Sequence, residues 1–98
     1  MAKIKWEFNI HKLERLFTIT RMWTSKQISP EKAAYELTIT EGISPVALKE
    51  FLECMTLIAP DDLDNPEILV AFKGYVYTRI NMALSNAEKE INLQLKQY

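Results

Sequence analysis

Ser29-Pro30-Glu31-Lys32-Ala33-Ala34-Tyr35-Glu36-Leu37-Thr38-Ile39-Thr40-Glu41-Gly42-Ile43-Ser44-Pro45-Val46-Ala47-Leu48-Lys49-Glu50-Phe51-Leu52 is the stretch that decides the fold. It contains two helix starts of the same kind, Ser29-Pro30 and Ser44-Pro45. A serine hydroxyl can accept from an orphan N–H of the first turn, and a proline at the first helical position gives up nothing by lacking its own N–H. The first start predicts a helix from Pro30 to about Thr40 that buries Ala33, Ala34 and Leu37. Gly42 is placed to take the left-handed conformation that closes it. The second start predicts a helix carrying Val46, Leu48, Phe51, Leu52 and Met55.

The same logic extends in both directions. Downstream, Ala59-Pro60-Asp61-Asp62-Leu63-Asp64 reads as a turn, and Asn65-Pro66-Glu67 opens a further helix with Leu69, Phe72, Val76, Ile80, Ala83 and Ala87 on one stripe. Ser85-x-x-Glu88 has the form of a capping box and points to a break or kink near Ser85; the alternative is an unbroken helix whose overhang is an oligomer contact. Residues 86–97 read as helix, although Ile91, Leu93 and Leu95 also alternate as a strand would. Upstream, Asn9 is a candidate N-cap for a helix over about 10–26, with Leu13, Leu16, Phe17, Thr20 and Trp23 as its core stripe. Before it, Ile4, Trp6, Phe8 and Ile10 alternate with polar neighbours, the period of a half-buried strand over residues 3–10.

Composition agrees with helices. The chain has 98 residues, 48% hydrophobic and 26% charged, with two glycines to supply tight turns. The expectation is an all-α, mainly helical fold: a four-helix compact domain over residues 1–98, its amino-terminal stretch open to a short β-strand. No apolar run approaches the roughly 20 residues of a membrane span, and no secretory signal is visible at the amino terminus. One cysteine and one histidine leave no internal disulfide and no zinc site. A reducing, cytoplasmic setting without membrane, metal or cofactor is expected.

Net charge is −1, so total charge does not recruit polyanions. The charge is segregated, however: net +4 over residues 1–32, −7 over 33–71 and +2 over 72–98. Such blocks can pair within one fold, steer a partner or drive self-association.

Residues 42–52 resemble the turn and second helix of a helix-turn-helix. The resemblance implies Ile43, Leu48 and Phe51 in the core, with Ser44, Pro45, Val46, Ala47 and Lys49 at a DNA groove. It departs from the motif upstream, where Thr38 stands for a small residue and Glu41 for an apolar one. Glu50 and Glu53 and the acidic surroundings also oppose phosphate. Lys73-Gly74-Tyr75-Val76-Tyr77 is similar to the start of an RNA-recognition-motif signature, but Thr78 and Ile80 depart from it and the strands that fold needs are missing. Asp61-Asp62-Leu63-Asp64-Asn65-Pro66-Glu67 lacks the spacing and glycine of a calcium loop; capping and the helix dipole account for its acids. His11 has neither a positioned carboxylate nor a nucleophile in a local motif, and Cys54 reads as a small core residue.

No assembled catalytic chemistry is visible, and no enzyme is expected. The reading is a non-enzymatic protein–protein interaction module, a small regulator, inhibitor or assembly factor. It would present helix surfaces to a protein partner or to its own copies in a homo-oligomer. Trp6, Phe8, Tyr75 and Tyr77 are the candidate partner-binding residues. Trp23, on the core stripe, is expected inside. The alternative is a small DNA-binding regulator that uses Ser44, Val46, Ala47 and Lys49, which makes nucleic acid the second-choice partner.

Overall fold

The structure, a computed structural model, describes residues 6–96. The chain is all-α: four α-helices, α1 (Ile10–Thr24), α2 (Pro30–Tyr35), α3 (Pro45–Met55) and α4 (Pro66–Leu95), and no strand among the described residues. The described residues divide into two compact units, residues 8–45 and residues 46–96 together with 6 and 7.

In the unit of residues 8–45, the Asn9 side chain accepts from the Lys12 N–H at 2.9 Å and starts α1. Leu13, Leu16, Phe17, Ile19 and Thr20 form its buried face. The helix ends in a Schellman arrangement: the Gln27 N–H reaches the Met22 carbonyl (2.8 Å) and the Lys26 N–H the Trp23 carbonyl (3.0 Å). Lys26 itself takes the left-handed conformation, φ 62°, where glycine is the usual occupant. Trp23, in this last turn, is 41% exposed and not in the core; the buried face of the helix ends at Thr20, about one turn earlier.

Ser29 caps α2 as expected, its hydroxyl accepting from the Lys32 N–H at 3.1 Å. From Glu36 to Thr40 the helix widens into one π-type turn, with the Glu41 N–H bonded to the Glu36 carbonyl five residues back. Gly42 closes it at φ 63°, and the Ile43 N–H bonds the Leu37 carbonyl at 3.0 Å. Ala33, Leu37 and Ile43 are buried, whereas Ala34 is exposed. Ala34 follows Ala33 by one position, about 100° around the helix, which turns it out of the short buried strip.

In the other unit, α3 buries Ala47, Phe51 and Cys54, spaced four and three as a helix face requires. A short 3₁₀ turn (Pro60–Asp64) leads to Asn65, whose side chain accepts from the N–H groups of Glu67 and Ile68 at 3.0 and 3.4 Å. Helix α4 then runs 30 residues, roughly 45 Å, and buries Val76, Ile80 and Leu84. Burying each such side chain contributes about 1.5–3 kcal/mol.

Two expectations are corrected in this unit. Helix α4 passes unbroken through Ser85. Glu88, the acid of the supposed capping box, accepts instead from the backbone N–H of Trp6, 2.7 Å from its Oε1 and 82 positions away in sequence. Nor do residues 6–9 form a strand: a carboxylate on a helix, not a neighbouring strand, receives the Trp6 N–H. Residues 3–5 of the expected strand lie outside the described residues, as does residue 97 of the expected terminal helix.

Candidate interaction surface

A second apolar line runs along α4, away from its core face. Ile68, Tyr75, Met82 and Leu93 are separated by seven, seven and eleven positions. At roughly 100° per residue these spacings keep all four within an arc of about 40°. They are 39%, 44%, 60% and 60% exposed. Over its length, roughly 37 Å, the seam also carries exposed Ala71, Asn86 and Lys89. A long row of exposed large apolar side chains costs solubility unless something covers it.

The middle of the seam is held in place. The Arg79 guanidinium donates from Nε to Oε1 of Glu50 on α3 at 2.7 Å, with Nη2 at 2.6 Å from the same oxygen. Its Nη1 donates to the Tyr75 hydroxyl, and the guanidinium carbon stands 5.5 Å from the Tyr75 ring centroid. Phe72 stacks on Tyr75, with centroids 6.4 Å apart and planes 29° from parallel. The hydrogen bond to Glu50, then that to Tyr75, raises the Arg79 pKa above its already high ordinary value. Tyr75 is therefore an exposed ring in a preset position, the property that makes an aromatic residue an effective anchor at an interface.

Of the four expected partner-binding residues, Tyr75 and Tyr77 do not share a face of α4. Tyr75 lies on the seam. Tyr77 is half-buried and about 200° further round α4. Trp6 is half-buried, and its backbone bonds to Glu88, which shares the Tyr77 side of the helix at a spacing of eleven. Phe8 is half-buried and belongs to the other unit. Ile68, Met82 and Leu93 share the seam with Tyr75. Their spacing is visible in the sequence, but it competes there with the apolar line centred on Val76 and Ile80.

Of the residues expected at a DNA groove, Lys49 is exposed, and Ser44 and Val46 are half-buried. Ala47 is 1% exposed, so as a core residue it cannot reach a groove. Its methyl group fills the first turn of the buried α3 face, ahead of Phe51 and Cys54.

In the unit of residues 8–45 the charged cluster is structural in form. Arg15 Nε donates to Glu41 Oε1 at 2.8 Å, and His11 Nε2 stands 3.7 Å from the second carboxylate oxygen. Together with Arg79–Glu50, this pair joins the basic ends of the sequence to its acidic middle within each unit. Cys54 is fully buried, and burial pushes its thiol pKa up despite the opposing field of Arg79. Among the described residues no group of three or more His, Cys, Asp and Glu is gathered as for a metal ion, and no helix is long and apolar enough to cross a membrane. No family model, curated protein or solved structure matches this chain.

Proposed function

We propose that this protein is a non-enzymatic interaction module that works by presenting the exposed seam of α4 to a protein surface. The observation that carries this reading is the alignment of Ile68, Tyr75, Met82 and Leu93 in one exposed line. Tyr75 at its centre is fixed by Arg79 and Phe72. An anchor already ordered before binding loses little entropy on docking, and flexible Met82 beside it adapts to a partner's relief. A regulator, inhibitor or assembly factor of cytoplasmic type fits such a surface.

The test is affinity capture from the source lysate with the tagged chain, alongside a differently tagged copy of the same chain and a Met82→Glu variant. Recovery of a protein, foreign or a second copy, by the wild type and its loss with Met82→Glu is the expected result. Recovery of nothing by the wild type, or equal recovery by the variant, would overturn the reading. Retention on duplex DNA that falls steeply with salt and is lost with Lys49→Glu would favour the groove reading instead.

A further inference from the structure

We propose that the chain at Trp6 is a strap over the last third of α4, latched by Glu88, and that it opens without the rest of its unit unfolding. Glu88 stands on a line where a carboxylate is out of place. The core face of α4, Val76, Ile80 and Leu84, continues at helical spacing through Glu88, Ile91 and Leu95. These last three are half-buried, as is Ala87 beside them, whereas Ser85, Asn86, Lys89 and Glu90 are exposed. Helix α3 does not extend that far. It is fixed to α4 by Glu50 and Arg79 and runs five residues to either side of Glu50, roughly 7.5 Å. Its cover therefore reaches about position 84 in either orientation, and Leu84 is the last buried residue of α4. Past that point the structure sets the backbone of Trp6 against the line, its N–H 2.7 Å from Glu88 Oε1.

The chemistry of this contact makes it reversible. An apolar side chain at position 88 would hold the strap by burial and would resist exposure on release. A carboxylate does the reverse: half-buried it needs a donor, and released it is well solvated. The same holds for the Trp6 N–H. A charge-assisted hydrogen bond orders the closed state, and water replaces it in the open one. Residues 6–9 form neither helix nor strand, so no helical or sheet ladder has to break as the strap lifts. Opening turns Trp6, Ile91 and Leu95 to solvent together. This line lies on the opposite side of α4 from the seam through Tyr75 and Met82, and the strap does not depend on what the seam binds.

Native-state hydrogen exchange on the whole chain, followed by NMR across low denaturant concentrations, tests the strap. The Trp6 amide should exchange through an opening that denaturant hardly affects, while the amides of Val76 and Ile80 exchange only with global unfolding. Glu88→Gln keeps the shape of the side chain and removes its charge. It should speed Trp6 exchange by roughly tenfold to a hundredfold, leave the protection of Val76 and Ile80 unchanged, and shift the Ile91 methyl signals. In a Trp23→Phe background, where Trp6 is the one remaining tryptophan, Glu88→Gln should move the emission to the red. A Trp6 amide that is unprotected, or that exchanges only with global unfolding, overturns the proposal. So does Trp6 exchange that Glu88→Gln leaves unchanged. If Glu88→Gln lowers the protection of Val76 and Ile80 as much as that of Trp6, Glu88 supports the whole core and is not a latch, which overturns it too.

Discussion

The guanidinium of Arg79 is shared between Glu50, 29 positions away on α3, and Tyr75, one turn before it on α4. One side chain thus ties two helices of the same unit and orders the exposed ring at the centre of the seam. Arg79→Lys keeps the charge but loses the fork and the planar face that meets the ring. It should lower the melting temperature and loosen Tyr75, whereas Glu50→Gln should do the first more than the second. Ring-flip broadening of Tyr75 by NMR, read with thermal melts, checks both. Equal ring mobility in wild type and Arg79→Lys would contradict the positioning role.

Phe51 is fully buried on α3, between Ala47 and Cys54 in spacing. Phe51→Ala should therefore cost about 3–5 kcal/mol, through lost burial and the cavity left behind. Chemical denaturation measures it. A loss below roughly 1 kcal/mol would mean that the site collapses freely and is not a packed core.

Helix α1 closes on Lys26 at φ 62°, a conformation that costs a residue with a Cβ about 1–2 kcal/mol. Lys26→Gly should stabilise the chain by about 0.5–1 kcal/mol once the greater unfolded-state freedom of glycine is deducted. Gly42→Ala should act in the opposite direction at φ 63°. No atom stands within 4 Å of where its Cβ would lie, so the penalty there is one of backbone conformation and not of collision. Denaturant midpoints of the two variants should move apart from that of the wild type.

Much of this architecture was legible because its signals are local. Ser29-Pro30 and Asn65-Pro66 carry both the cap and the φ constraint in adjacent residues, and α2 and α4 begin there. Gly42 likewise closes its helix where expected. The rest depends on what lies far away in sequence. Alternation around Trp6 has the strand period, yet its N–H is satisfied by Glu88, which no local pattern announces. Ser85-x-x-Glu88 has the right letters for a cap, but that acid is engaged elsewhere and Leu84 beside it is buried mid-helix. Lys26 occupies a glycine position, so no residue type marks the end of α1. The seam is not legible for a related reason: two apolar lines on one helix look alike until burial distinguishes Val76 and Ile80 from Tyr75 and Met82.

Cys54 gives a pH dependence with a definite sign. Burial raises its folded-state pKa, so the folded chain holds the thiol proton where the unfolded chain releases it. Its contribution is fully present below the ordinary value of 9.0 and is lost as pH rises from there towards the folded-state value. Stability should fall more steeply on the alkaline side in the wild type than in Cys54→Ala. The same burial should make the thiol slow to alkylate until the chain unfolds. Fast labelling under native conditions, or identical alkaline slopes, would contradict this.

The central claim is that the exposed line of α4 is the surface by which this chain binds. It is tested most directly by following the Met82 methyl resonance, with those of Ile68 and Leu93, as the protein is concentrated and then titrated with source extract. The account predicts that these three signals shift or broaden together while those of the buried Val76 and Ile80 stay nearly fixed. Signals from Ile68, Met82 and Leu93 that remain unchanged throughout both titrations would contradict it.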